Sequence, residues 1–251
     1  MSNEKTENFY DTIASKYDWL FSDWNKIKNQ EMDLLLPFLR EKEVKSILDC
    51  ACGTGMQSIG LLEHGFKVLA SDISKKMIDQ AIDNAKNRGL VLNTIQADFR
   101  ELKSKISTQF DAIICMGNSL SHLLTNQDLK LALKNMRDLL NKNGFIIIEI
   151  RNFDRLLEKK NRFIPLKIND QIGNQFVTIF YVLDFLEHIC RFNVIYILQD
   201  IQSKDYKIDV NSVDYNPIKS KEFISLLEQA GFFKIKLIED EYFIKYIAYK
   251  Q

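Results

Sequence analysis

Apolar and polar positions along this chain follow two rhythms, and the change comes after Arg151. From Phe9 to Phe38 the spacing is helical. Tyr10, Ile13, Ala14, Tyr17 and Leu20 share one face, Asp23-Trp24 interrupts, and Met32 to Leu39 resumes. Short apolar runs then alternate with amphipathic stretches. They predict strands over 46–50, 67–71, 91–96, 111–116 and 145–150, with helices over 56–63, 74–87 and 126–140. Ser74 stands where a helix N-cap belongs, and Gly89 where that helix stops. Asn141-Lys142-Asn143-Gly144 predicts a turn closing the third helix. Strand-helix-strand alternation of this kind implies a parallel sheet covered on both faces.

Beyond Arg151 the runs 176–185, 188–198 and 206–213 are strand-like and have no helix between them. They predict an antiparallel meander inserted into the α/β unit, bracketed by Pro165 and Pro217. A helix over 220–230, stopped by Gly231, precedes two closing strands over 232–238 and 242–249. The expected organisation is an N-terminal helical lid (1–45), a nucleoside-binding α/β unit (46–158 and 216–251) and an inserted β roof over the site (159–215).

Composition narrows the function classes. The chain has 251 residues, 46% hydrophobic and 27% charged, enough for a substantial core. Lys+Arg and Asp+Glu both number 34, and no basic stripe stands out, which argues against an electrostatic nucleic-acid binder. No apolar run approaches the roughly 20 residues of a membrane helix. Met1 to Glu7 is polar, without a signal-peptide pattern, so a cytoplasmic location is expected. Cys50, Cys52, Cys115 and Cys190 show neither metal-ligand spacing nor a disulfide framework, and no metal is expected.

The chemistry concentrates at Ile47-Leu48-Asp49-Cys50-Ala51-Cys52-Gly53-Thr54-Gly55. An apolar run, an acid and two glycines lead into a helix, and the next strand ends at Ser71-Asp72. Glycines let the backbone turn sharply beside a ligand, and an acid closing the second strand can take both ribose hydroxyls. Two ligand classes use such a loop. The dinucleotide fingerprint wants a third glycine, and Ser58 stands there instead. S-adenosylmethionine carries no phosphate and makes a lighter demand on the helix start. Ala97-Asp98-Phe99 after the third strand suits an adenine, the acid accepting from its amino group and the ring lying beside the base. Met116-Gly117-Asn118-Ser119 follows the fourth strand, at the edge where open α/β sheets bind ligands.

On these residues the chain resembles the class I S-adenosylmethionine-dependent methyltransferases. Within them it is similar to the glycine and glycine/sarcosine N-methyltransferases, from about Tyr17 to Leu157. Leu48 to Gly55, Gly89 to Leu92 through Asp98, Ile114 to Ser119 with His122-Leu123, and Arg151 to Asp154 with Leu156-Leu157 carry the similarity. The resemblance implies a Rossmann-like, seven-stranded, mostly parallel sheet with its last strand reversed. It implies transfer of a methyl group to a small molecule, an amino acid or small amine of the glycine/sarcosine kind, with S-adenosylhomocysteine as product. Tyr17 would cover the donor, Ala51 would line its methionyl part, and Gly53 would also contact the donor. Asp72 would bind the ribose, Asp98 and Phe99 would frame the adenine, and Met116 would give a backbone contact. Asn118 and Arg151 would position the acceptor, Arg151 as a bidentate fork for a carboxylate. Tyr215, outside the similar stretch and just before Pro217, reads either as a further wall positioning the substrate or as a core tyrosine. The family's donor-carboxylate arginine aligns with Ile27, flanked by Lys26 and Lys28, either of which could substitute.

Structural readings stand beside these. Asp49 either holds the glycine loop or touches ligand; Asp72 and Asp98 could be turn residues. Asn118 could be an N-cap, Arg151 could pair with Asp154, and His122 reads as structural rather than as a catalytic base. Other small acceptors, a nicotinamide-dependent oxidoreductase and a non-catalytic donor-binding protein are the alternative functions. No dedicated base is evident, and the oligomeric state and the acceptor stay open.

Overall fold

The computed structural model describes residues 2–250, with side chains from Glu4 onward. Met1 and Gln251, at the ends of the expected lid and α/β segments, lie outside the described residues. In chain order the elements are α1 (Ser2–Tyr17), α2 (Trp24–Glu41), β1 (Ser46–Asp49), α3 (Met56–Glu63), β2 (Lys67–Asp72), α4 (Lys75–Lys86), β3 (Asn93–Gln96), α5 (Leu102–Lys105), β4 (Phe110–Cys115), α6 (Asn126–Asp138), β5 (Leu140–Arg151), α7 (Phe153–Lys159), β6 (Phe163–Ile172), β7 (Gln175–Phe185), β8 (Cys190–Asp200), β9 (Tyr206–Tyr215), α8 (Ser220–Gln229), β10 (Phe232–Glu239) and β11 (Phe243–Lys250).

Seven strands form one sheet in the order β10-β11-β5-β4-β1-β2-β3. β1 to β5 run parallel, and β11 is antiparallel to both β5 and β10. Alternation along β5 shows how the sheet is covered. Ile146, Ile148 and Ile150 join the core beneath α6, α8 and the second sheet; Phe145 and Ile147 join the one beneath α2 and α3. Successive strand side chains point to opposite faces, so an apolar run with no polar break is a strand buried on both.

The remaining four strands make a separate antiparallel sheet, β6-β7-β8-β9. Along β8, Cys190, Phe192, Val194, Tyr196 and Leu198 are buried in the larger core, and the residues between them are half-buried. The meander therefore has a fourth strand that the pattern did not predict. β6 is an edge strand with two register shifts, and Pro165 lies inside it rather than before it. An edge position tolerates a residue with no N–H to donate, and such a strand lacks the clean alternation that reveals a central one.

Three further boundaries moved. α1 begins at Ser2, well before Phe9. β3 is four residues, shorter than the run from Val91, which is 83% exposed. Residues 141–144 do not end the α6 region in a separate turn. β5 starts at Leu140, and its pairing with β4 shifts between Phe110↔Leu140 and Ala112↔Phe145 around Asn143, at φ +65°. A bulge absorbs residues whose composition reads as a turn.

Candidate active site

The first β-loop-α unit is built by its small residues. Gly53 and Gly55 have φ of +52° and +90°, a region L side chains rarely adopt. Their spaces differ. A Cβ on Gly55 would stand 3.1 Å from Ala81 Cβ on α4 and 3.3 Å from Ile59 Cδ1, so this glycine lets α3 and α4 approach. A Cβ on Gly53 would meet only Tyr17 Cε1, at 3.7 Å, and Gly53 lines a cavity of about 730 Å³ above the sheet.

Asp49 lies beneath that cavity, 1% exposed. It accepts from Ser58 Oγ at 2.7 Å and from Ala51 N at 3.4 Å. Burial first, against those hydrogen bonds, pushes its carboxyl up to about 7. Of its two readings, the loop-holding one matches this geometry. Ser58, at the position of the absent third glycine, is the residue that reaches it.

Asp72 does line the cavity. Its Oδ2 accepts from Gly53 N and its Oδ1 from Ser74 N, both at 2.9 Å. Burial raises it to about 6, partly offset by those backbone donors. Each oxygen keeps a lone pair for a further donor. Asp98 is gripped at both oxygens by Arg100, at 2.9 and 3.0 Å, and Arg100 also reaches Asp128 at 3.0 Å. Such a forked pair fixes the orientation of the carboxylate at the wall.

All ten residues expected at the site line this one cavity: Tyr17, Ala51, Gly53, Asp72, Asp98, Phe99, Met116, Asn118, Arg151 and Tyr215. The chain brings them together from three sources: the carboxyl edge of the parallel strands, the N-terminal helix and the roof. Asn118 stands at the start of a short 3-10 helix, Ser119–His122, but its side chain makes no capping bond to it. It sits at φ +68°, and its Oδ1 accepts from Ser121 Oγ at 2.8 Å and Arg151 N at 2.9 Å. Both lone pairs of that oxygen are engaged, so its amide nitrogen is the part left for a ligand, as a donor. Nor does Arg151 pair with Asp154, whose Oδ2 accepts from Ser220 N at 2.9 Å. The guanidinium lies over Phe192 and Phe243, at 5.1 and 5.0 Å from the ring centroids, and its Nε is buried without a hydrogen-bond partner. Tyr215 packs on His122 at 4.4 Å between centroids and on Phe192 at 4.8 Å. His122 meets the Tyr10 hydroxyl at 2.7 Å through Nε2. Burial lowers its imidazole to about 4, so it is neutral at neutral pH.

Polar contacts clamp α1 over the site. Asp18, just after it, accepts from Thr54 Oγ1 at 2.5 Å and Asn84 Nδ2 at 3.1 Å, joining it to the glycine loop. Asp11 accepts from Ser74 Oγ at 2.5 Å, and Lys16 pairs with Asp209 on the roof. Ser74 also caps α4 through Met77 N, as its position predicted.

The two lysines beside Ile27 do not serve the cavity. Ile27 lines it, whereas Lys26 is exposed and Lys28 is buried in an ion pair with Glu63. Charges at the wall that the residue pattern did not reveal include Glu31, Glu149 and Lys245, beside Arg155, Lys159, Asp240 and Glu241. A signal existed for two of them: Glu149 and Lys245 are lone charges inside otherwise apolar strand runs, Ile146–Ile150 and Phe243–Ala248.

The strand order, with the glycine loop after β1 and the acid closing β2, makes a Rossmann-like fold. Residues 47–144 match a family described as a methyltransferase domain. A crystal structure of an S-adenosylmethionine-dependent methyltransferase from Clostridium acetobutylicum superposes with a TM-score of 0.75 at 20% identity, covering 97% of this chain and 98% of that one. A sugar N-methyltransferase from Streptoalloteichus superposes at 0.69 with 17% identity, covering 92% and 89%.

By sequence the chain is similar to the glycine/sarcosine N-methyltransferases. It is 42% identical over 152 residues to the one from Parasynechococcus marenigrum, covering 61% of this chain and 54% of that protein. To the one from Halorhodospira halochloris it is 39% identical over 153 residues, covering 61% and 57%. The chain thus spans a little over half the length of these curated relatives.

Proposed function

We propose that the protein is an S-adenosylmethionine-dependent methyltransferase that N-methylates a small amine, an amino acid of the glycine/sarcosine kind. One observation carries the reading: a single cavity joins Asp72, set on the glycine loop, to Arg151, whose buried Nε has no protein partner. The cavity walls fit the donor. Asp72 offers two lone pairs to a ribose, Gly53 offers a wall without a side chain, and Phe99 and Tyr17 offer ring faces. Arg151 and the Asn118 amide both present donors, the chemistry that holds a carboxylate.

The donor, when bound, supplies a methyl group already activated on a sulfonium. What the chain contributes is alignment and exclusion of water. α1 and the roof close over the sheet edge through the Asp18, Asp11 and Lys16 contacts. An attacking amine must be neutral. His122 is held by Tyr10 beneath Tyr215, so the amine's proton leaves before attack or to solvent. Ser58 supports this reading over a nicotinamide-dependent one, because the dinucleotide fingerprint wants a third glycine there for close helix–strand packing, and here a side chain donates to Asp49 instead. An assay of S-adenosylhomocysteine release over glycine, sarcosine, dimethylglycine, other amino acids and small phenols tests the proposal. Turnover with an amino acid supports it; turnover with phenols alone overturns the amine assignment.

A further inference from the structure

A second group of charges lies at the same cavity, and nothing above gives it a task. Lys245 on β11 stands directly opposite Glu149 on β5 in the antiparallel register. Its Nζ is 2.5 Å from Glu149 Oε2 and 3.5 Å from Glu31 Oε1, and all three residues line the cavity. Glu149 is further held by Gly117 N, which donates to its Oε1 at 3.1 Å. Glu31 comes from a different element, α2, and its Oε2 is buried with no hydrogen-bond partner. Two carboxylates face one ammonium, so the group carries an excess negative charge.

A purely structural cross-strand pair would be complete with Glu149 and Lys245. Adding Glu31 leaves a buried acceptor unmade, which natural folds avoid unless something else satisfies it. Burial, followed by Glu149 and opposed by Lys245, raises the Glu31 carboxyl, as expected of an acid short of a cation; Asp240 adds to the same effect. Among the described residues the cation paired with Glu31 is Lys245, and it faces the other oxygen, Oε1. Ile27, one turn earlier on the same face of α2, is apolar, and Lys28 is tied to Glu63. Lys245, with three N–H donors and two carboxylates facing it, keeps one for a third acceptor.

We infer that Glu31 and Lys245 form a receptor for an α-amino-acid zwitterion, Glu31 Oε2 accepting from the ammonium and Lys245 donating to the carboxylate. The inference rests on the methyltransferase reading, because two zwitterions then reach this cavity: the methionyl tail of the donor and a free amino-acid acceptor. Calorimetric binding of S-adenosylhomocysteine and of 5′-methylthioadenosine, which lacks the amino-acid tail, separates them when joined to acceptor KM values. The variants are Glu31→Gln and Lys245→Met. If the tail is the ligand, each variant weakens S-adenosylhomocysteine by about tenfold or more and leaves 5′-methylthioadenosine unchanged. If the acceptor is the ligand, both nucleosides bind as before and KM rises for a zwitterionic acceptor only. Either pattern supports the inference. Affinities and KM all within about twofold of wild type overturn it. Glu31→Gln keeps the Lys245–Glu149 pair intact and so decides the matter should Lys245→Met fail to fold. Wild-type protein that binds neither nucleoside overturns the methyltransferase reading itself, and this inference with it.

Discussion

Lowering the pH should weaken donor binding through one carboxyl, Asp72. The group titrates near 6 rather than at the ordinary 3.8, chiefly because it is buried. In the free protein the sign is unfavourable to the ionised form. A carboxyl raised on folding stabilises below its ordinary value, and that contribution is lost as pH rises through about 6. Ligand binding has the opposite sign. Both oxygens already accept backbone N–H groups, so two ribose hydroxyls can be accommodated only while both remaining lone pairs are available, that is, in the carboxylate. At pH 8 nearly every molecule is ionised; at pH 5 about one in eleven is. Affinity for S-adenosylhomocysteine should therefore fall by about tenfold at pH 5, or about 1.4 kcal/mol. Asp72→Asn should bind about 10- to 100-fold more weakly at pH 8, from loss of charge-assisted bonds of about 1.5–3 kcal/mol, and should lose the part of the slope that Glu31→Gln retains. Titration calorimetry from pH 8 to 5 measures both. Asp49, raised to about 7 but outside the cavity wall, provides the control: Asp49→Asn should keep the slope. A parallel series in Glu31→Gln removes the other raised carboxyl. Wild-type affinity constant to within twofold over this range would refute the role assigned to Asp72.

Other substitutions probe the neighbouring parts. Gly55→Ala must accept φ +90° and a 3.1 Å contact with Ala81, and should cost about 2–4 kcal/mol in urea unfolding; a loss near zero would contradict the packing described. Gly53→Ala meets only an ordinary contact and should cost about 1–2 kcal/mol, yet weaken S-adenosylhomocysteine by placing a methyl at the cavity wall; unaltered binding would count against that wall as the donor site. Arg151→Gln should raise KM for a carboxylate-bearing acceptor by about 10- to 100-fold without changing nucleoside affinity, and an unchanged KM would remove carboxylate recognition from this residue. Tyr10→Phe leaves His122 Nε2 without its 2.7 Å partner and should cost about 1–2 kcal/mol, visible as a lowered Tm; an unshifted Tm would show the contact to be dispensable.

The β1-loop-α3-β2 unit was legible because each of its signals is local: an apolar run, two glycines, a helical repeat and an acid at a strand end. The same holds for Ser74, whose cap is decided within three residues. Where a local signal had two outcomes, pattern reading failed. Asn141 to Gly144 has the composition of a turn, but the chain on either side pairs with β4 and β11, so the segment becomes a bulge within β5. β6 was missed because its edge position relieves it of alternation and admits Pro165. The lysines beside Ile27 had the right charge, and their side chains went elsewhere: Lys28 to Glu63, Lys26 to solvent.

By itself, the order of residues determined the class of the fold, the place of the glycine loop and ten residues that line one cavity. Those follow from periodicity and from backbone freedom, which act over a few neighbouring residues. Only the tertiary structure decided how each group is used. Asp49 turned to Ser58 while Asp72 kept lone pairs at the cavity, and Asn118 committed its oxygen to Ser121 and Arg151. Lys245 met Glu149 and Glu31 across elements far apart in the chain. Register and burial set those partnerships, and both are properties of strands and helices packed together rather than of any one stretch.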